Sequence, residues 1–112
     1  MMFDYLFNNK HTEIIIFFLM KNEYCYAKQL ADIFSTSVFG FQKTLDKLER
    51  GGLLVSLLEG NTRYYQFNPR YPFFKDIKKL FEKAYEFMPT DLKKFYELDV
   101  RKRPRRKNKP IV

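Results

Sequence analysis

Between residues 26 and 67 the sequence sets four pieces in a fixed order: a short amphipathic run, a polar break, a longer amphipathic run, and two strand-like runs around Gly60-Asn61. Few folds accept that order, because no piece is long enough to be stable alone and each must bury its apolar side against the others. Over residues 27–34, Leu30, Ala31, Ile33 and Phe34 fall at helical spacing. Ser35-Thr36-Ser37 breaks the pattern, and Ser37 is the residue type that caps a following helix. Over residues 38–50, Phe41, Leu45 and Leu48 recur at i, i+4, i+7 as an inward stripe. Gly51-Gly52 ends that helix, since glycine takes the left-handed conformation without a side-chain clash. Residues 53–59 and 63–67 read as antiparallel strands joined by the turn at Gly60-Asn61.

The flanks predict more helix. Phe3, Leu6 and Phe7 suit a short opening helix, and Thr12 suits the cap of the next, with Glu13 near the positive end of its dipole. Residues 14–20 are apolar on all sides, which predicts a helix buried on several faces. Tyr24-Cys25-Tyr26 reads as a brief strand, and residues 68–72 as a proline-punctuated connection. A helix over residues 73–87 carries Phe74, Ile77, Leu80, Phe81, Ala84 and Tyr85 on one stripe. Met88-Pro89 ends it, and Thr90 suits the cap of a last helix with Leu92, Phe95 and Tyr96 inward. The predicted fold is mainly α with a small β-hairpin (α+β). It has the layout of a winged helix-turn-helix with flanking N- and C-terminal helices.

Charge divides the chain in two. Residues 101–112 hold 7 of the 21 Lys and Arg and none of the 13 acids, so residues 1–100 keep 14 cations against 13 acids, a net +1. The reading is one nearly neutral domain over residues 1–100 and a disordered basic tail over residues 101–112. Aromatics, 13 Phe and 8 Tyr without Trp, supply much of the core. Cys25 is the single cysteine, which excludes an intrachain disulfide and suits a reducing compartment. Seven apolar residues at 14–20 fall far short of the roughly 20 needed to span a bilayer. No small-residue cleavage site follows them, so no signal peptide or membrane partner is expected, and the expected location is the cytoplasm.

With Phe41, Leu45 and Leu48 inward, the opposite face of residues 38–50 presents Phe39, Gln42 and Lys43, with Lys47 one turn on. Gln42 can pair with adenine N6 and N7, Lys43 can reach guanine or a phosphate, and Phe39 can touch a thymine methyl. Ser37 and the free N–H groups beside it can hold a phosphate. A merely solvated helix face is the bland alternative.

The stretch from Leu30 to Pro69 resembles the core of ArsR-like winged-helix transcriptional regulators. The likeness rests on Leu30-Ala31, Ser37, Gln42-Lys43, Leu45, Leu48, Gly52-Leu53-Leu54, Gly60, Tyr65 and Asn68-Pro69. It implies double-stranded DNA as partner, read by Phe39, Gln42, Lys43 and Lys47, with Asn61, Thr62 and Arg63 on the wing. Three features depart from that pattern. The thiol pair of metal-sensing members falls at Tyr26 and Lys28, the wing carries Arg63 alone, and Ser35 stands where glycine is common. The resemblance also implies a homodimer through the terminal helices, with Phe3, Phe7, Phe74, Ile77, Phe81 and Tyr85 as interface candidates. The same aromatics could instead complete the monomer core.

In the tail, Arg101, Lys102, Arg103, Arg105, Arg106 and Lys107 can grip phosphates without sequence preference. Arg103-Pro104-Arg105 is also similar to an AT-hook core, with Lys102 in place of the usual glycine. His11 has no sequence neighbour suited to share a metal, and no nucleotide, zinc or nucleophile motif is present. Neither an enzyme nor a cofactor is expected. Two rivals to a sequence-specific DNA-binding regulator stay open: an RNA-binding or ribosome-associated protein that works through the tail, and a protein-interaction adaptor anchored by Phe39.

Overall fold

In the computed structural model of the protein, residues 9–97 are described. The expected opening helix with Phe3 and Phe7, and the basic tail from Arg101 to Lys107, lie outside the described residues.

α1 (Lys10–Lys21) starts earlier than the sequence reading placed it. Asn9, not Thr12, is the cap, and its side chain accepts a hydrogen bond from the His11 amide. The Asn9 amide group also donates to the Thr44 hydroxyl at 2.8 Å, so one residue both caps α1 and ties it to the helix bearing Thr44. Thr12 is instead inside the first turn and buried with Glu13. Ile14 to Leu19 are all buried, as an all-apolar run requires, each side chain contributing about 1.5–3 kcal/mol by leaving water. At the far end Asn22 donates to the carbonyls of Phe18 (3.0 Å) and Tyr96 (2.6 Å), fixing the chain's last described turn against α1.

α2 (Ala27–Phe34) and α3 (Val38–Arg50) have the bounds expected from sequence. The turn between them depends on Ser35, which holds a left-handed conformation at φ 54° and ψ 48°. Ser35 and Thr36 amides both return to the Ala31 carbonyl, closing the end of α2. Phe41 and Leu45 are buried while Leu48 is only partly so, and Thr44 joins the inward stripe. At the end of α3, Gly52 alone is left-handed, at φ +94°, whereas Gly51 stays right-handed at φ −78°. The Gly52 amide bonds Glu49 and the Leu53 amide bonds Leu48, which satisfies the last carbonyls and turns the chain into the hairpin.

β1 (Leu54–Glu59) and β2 (Thr62–Phe67) pair antiparallel with Leu54 opposite Phe67 and Glu59 opposite Thr62. Both ends match the reading and each start falls one residue from it; β2 begins earlier because the two-residue turn leaves Thr62 in register opposite Glu59. Tyr24-Cys25-Tyr26 is reduced to one bridge: Cys25 and Tyr65 exchange both backbone bonds, at 3.0 and 2.8 Å. Asn68 then donates to the Gly52 carbonyl and accepts from the Arg70 amide, locking the connection to the foot of the hairpin.

α4 (Phe74–Glu86) lays Phe81 and Ala84 into the core, where the Phe81 ring meets Phe17 at 4.8 Å. Phe81 thus lies in the monomer core, the alternative role left open for these aromatics. Phe74, Ile77 and Tyr85 are half-buried, and Leu80 is 45% exposed rather than inward. α5 (Thr90–Lys93) is a single turn. Pro89 precedes it, and Thr90 is its first residue without a side-chain capping bond. Of the residues expected inward there only Tyr96 is buried; Leu92 and Phe95 are 46% and 36% exposed. The described residues form an α+β arrangement of five helices and one two-stranded antiparallel hairpin.

Candidate nucleic-acid interface

α3 begins at Ser37, whose hydroxyl accepts the Gly40 amide at 3.2 Å, while Ser37 itself is exposed. Because Phe41, Thr44 and Leu45 are fixed inward, the helix turns Phe39, Gln42, Lys43 and Lys47 to the outside. Phe39 is 67% exposed, and the Lys43 ammonium lies 5.7 Å from its ring. Phe39 is the one large apolar ring on an otherwise polar outer face of α3.

Two further residues share this face and the sequence reading omitted them. Asp46 and Arg50 pair at 3.0 Å across one turn, both largely in solvent. Their spacing from Gln42 and Lys43 was visible in sequence as i+4 and i+7, so the signal was there. The pair places one acid amid Lys43, Lys47 and Arg50, and a solvated i,i+4 pair holds its partner only weakly.

The hairpin tip reaches the same side. Gln42, Asn61, Thr62 and Arg63 line a recess of about 420 Å³, together with Tyr26 and Lys28 from the start of α2. Sequence spacing could not reveal that meeting, since 19 positions separate Gln42 from Asn61. Arg63 is already engaged. Its guanidinium donates to the Ser56 hydroxyl at 3.0 Å, and Ser56 in turn donates to the Glu49 carboxylate at 2.7 Å. Any anion arriving at the tip would have to compete with that chain for the guanidinium. Lys28 likewise pairs with Asp32 at 3.1 Å in solvent.

His11 is a structural junction behind α3. Its Nδ1 meets the Asn9 side-chain oxygen at 2.8 Å, its Nε2 lies 3.4 Å from the Thr36 hydroxyl, and its ring packs edge-on to Phe41 at 4.6 Å. Burial, aided by the neighbouring Lys10 charge, holds its pKa below the usual value. Cys25 is fully buried, and burial pushes its thiol far above the range of a reactive cysteine. Among the described residues no group of three or more His, Cys, Asp or Glu could hold a metal ion. Among them, too, no helix is long and apolar enough to cross a membrane. No protein family, curated protein or solved structure matches the chain.

Proposed function

We propose that the protein is a sequence-specific, double-stranded DNA-binding transcriptional regulator of the winged helix-turn-helix type, similar to ArsR-like regulators. In this reading α3 enters the major groove. Gln42 and Lys43 address base edges, Phe39 meets a thymine methyl, and Ser37 with the first amides of α3 holds a phosphate. The hairpin is the wing, touching the backbone through Asn61, Thr62 and Arg63, and the tail adds non-specific electrostatic hold. The observation that carries the reading is the exposed Phe39–Gln42–Lys43–Lys47 face, set beside a hairpin tip that shares a recess with Gln42.

Two copies would place their reading helices about 34 Å apart, one DNA turn, on a palindromic site. The apolar residues α4 leaves outward support such a dimer. Leu80 is 45% exposed, Phe73 and Phe87 at its ends are 59% and 73% exposed, and Ile77, Phe74 and Tyr85 are half-available beside them. The proposed location is the cytoplasm, where the lone Cys25 stays reduced.

The adaptor reading draws on Phe39 as well, since a ring so exposed also suits a protein partner. Selecting bound duplexes from a random DNA pool, while sizing the complex, separates these readings. A DNA regulator enriches a motif, and Gln42→Ala relaxes choice at one base step by about 1–3 kcal/mol. If no motif emerges and Gln42→Ala and Lys43→Ala leave duplex binding unchanged, the groove-reading role fails. Tighter binding of single-stranded RNA at matched salt points instead to the tail. A protein partner lost on Phe39→Asp, without duplex binding, points to the adaptor.

A further inference from the structure

Where α1, the α2–α3 turn and the α4–α5 segment meet, the structure leaves a recess of about 590 Å³. That volume is in the range of about 300–1,000 Å³ typical of small-molecule sites. Its floor is built from buried Ile14, Met88 and Tyr96, and half-buried Ile33 and Phe34 form a wall. Phe34 packs at 5.9 Å and 38° on Phe95 and at 5.1 Å and 45° on Tyr96, so three rings lie tilted together along one side. Leu92 and Phe95, 46% and 36% exposed, stand at the rim. Two lining residues are charged, Lys10 and Glu13, and they have opposite signs.

We propose that this recess is a binding site for a neutral, largely aromatic small molecule. The lining is largely apolar, which disfavours a charged ligand, and the tilted rings offer edges and faces to another ring. Walls drawn from several elements enclose a compact ligand better than a flat protein surface. Ser35 and Thr36 line the recess too, so an occupant touches the left-handed turn that orients α3. Thr36 passes that contact to His11, 3.4 Å from its hydroxyl. The site stands apart from the DNA-binding reading, and its test does not use DNA.

The full-length chain is titrated with N-phenyl-1-naphthylamine, a neutral aromatic probe whose fluorescence rises in apolar surroundings. Saturable binding of one probe per chain is expected, with amide resonance shifts gathered at Ser35, Thr36, Leu92 and Phe95. Leu92→Trp narrows the mouth at an exposed position and should weaken binding by roughly tenfold. Leu57→Trp, on the exposed hairpin, should leave it unchanged. The anionic analogue 8-anilinonaphthalene-1-sulfonate should bind more weakly. Non-saturable binding, equal effects of the two Trp variants, or tighter binding of the anion would each overturn the proposal.

Discussion

Gly40 and His11 approach so closely that a β-carbon on Gly40 would stand 2.6 Å from both Cε1 and Nε2 of the imidazole. The ring cannot simply move off, because Asn9 holds one nitrogen and Phe41 packs against its edge. An alanine in a helix normally gains about 1 kcal/mol over glycine. Here the overpacking wins, and Gly40→Ala should lower stability by about 1–3 kcal/mol in urea unfolding. Adding His11→Ala to that variant should restore part of the loss, and a purely additive double variant would show that the two residues do not clash.

Ser35 is the other strained point of the turn, a non-glycine residue at φ 54°. Ser35→Gly removes a conformational cost of about 1–2 kcal/mol, partly offset by the greater freedom of glycine in the unfolded chain. A net gain of about 0.5 kcal/mol is expected. Ser35→Val, branched at the β-carbon, should lose at least about 1 kcal/mol. Denaturation midpoints of the pair give the comparison, and equal midpoints would remove strain from the account.

His11 is the only histidine in the sequence, so its ring protons can be followed without assignment. Burial, then the charge of Lys10, keep its folded pKa below the ordinary 6.5. The unfolded state takes up the proton first, so this contribution to stability is present above pH 6.5 and is lost as pH falls through the folded value. A ring titration midpoint at or above 6.5 would contradict it, as would a His11→Gln variant with an unchanged fall in stability.

Cys25 should react with a thiol reagent only as fast as the chain opens, since it is 0% exposed and its backbone is locked to Tyr65. Its raised pKa carries a second consequence of opposite sense to that of His11. The unfolded thiol ionises first, so stability declines as pH rises past the ordinary 9.0. Rapid labelling under native conditions would place the thiol in a more open setting than the structure gives it.

On the proposed reading face, Asp46 repels phosphate and partly neutralises Arg50. Asp46→Asn should tighten duplex DNA binding by up to about fivefold at moderate salt, with unchanged sequence choice. Weaker binding would mean that Asp46 itself contacts a base, as an acceptor from cytosine.

Local pattern made much of this architecture legible. The bounds of α2 and α3 follow from a polar break and two clean apolar stripes, and the hairpin from Gly60-Asn61 between apolar runs. Thr12 and Thr90 are not the caps, because a threonine before an apolar run looks alike whether the helix starts there or earlier. Asn9 won at α1 because its side chain also reaches Thr44, a partner 35 positions away. Periodicity points Leu80, Leu92 and Phe95 inward, yet α4 buries only part of its apolar stripe and α5 lasts a single turn that ends before Phe95. For the interface, the exposed face of α3 was readable from spacing. The approach of the hairpin tip to Gln42, and the chain from Arg63 through Ser56 to Glu49, come from the folded register alone.

The paired bonds between Cys25 and Tyr65 act as a fulcrum for the hairpin. There β2 is bonded to the segment entering α2, and β1 is held to it through β2, so a sideways swing would have to break both Cys25–Tyr65 bonds. Only the span from Leu57 to Tyr64 projects past the clamp as a short springboard. Its tip is thereby held on the side of the body where Gln42 lies, and the two are offered to a partner together.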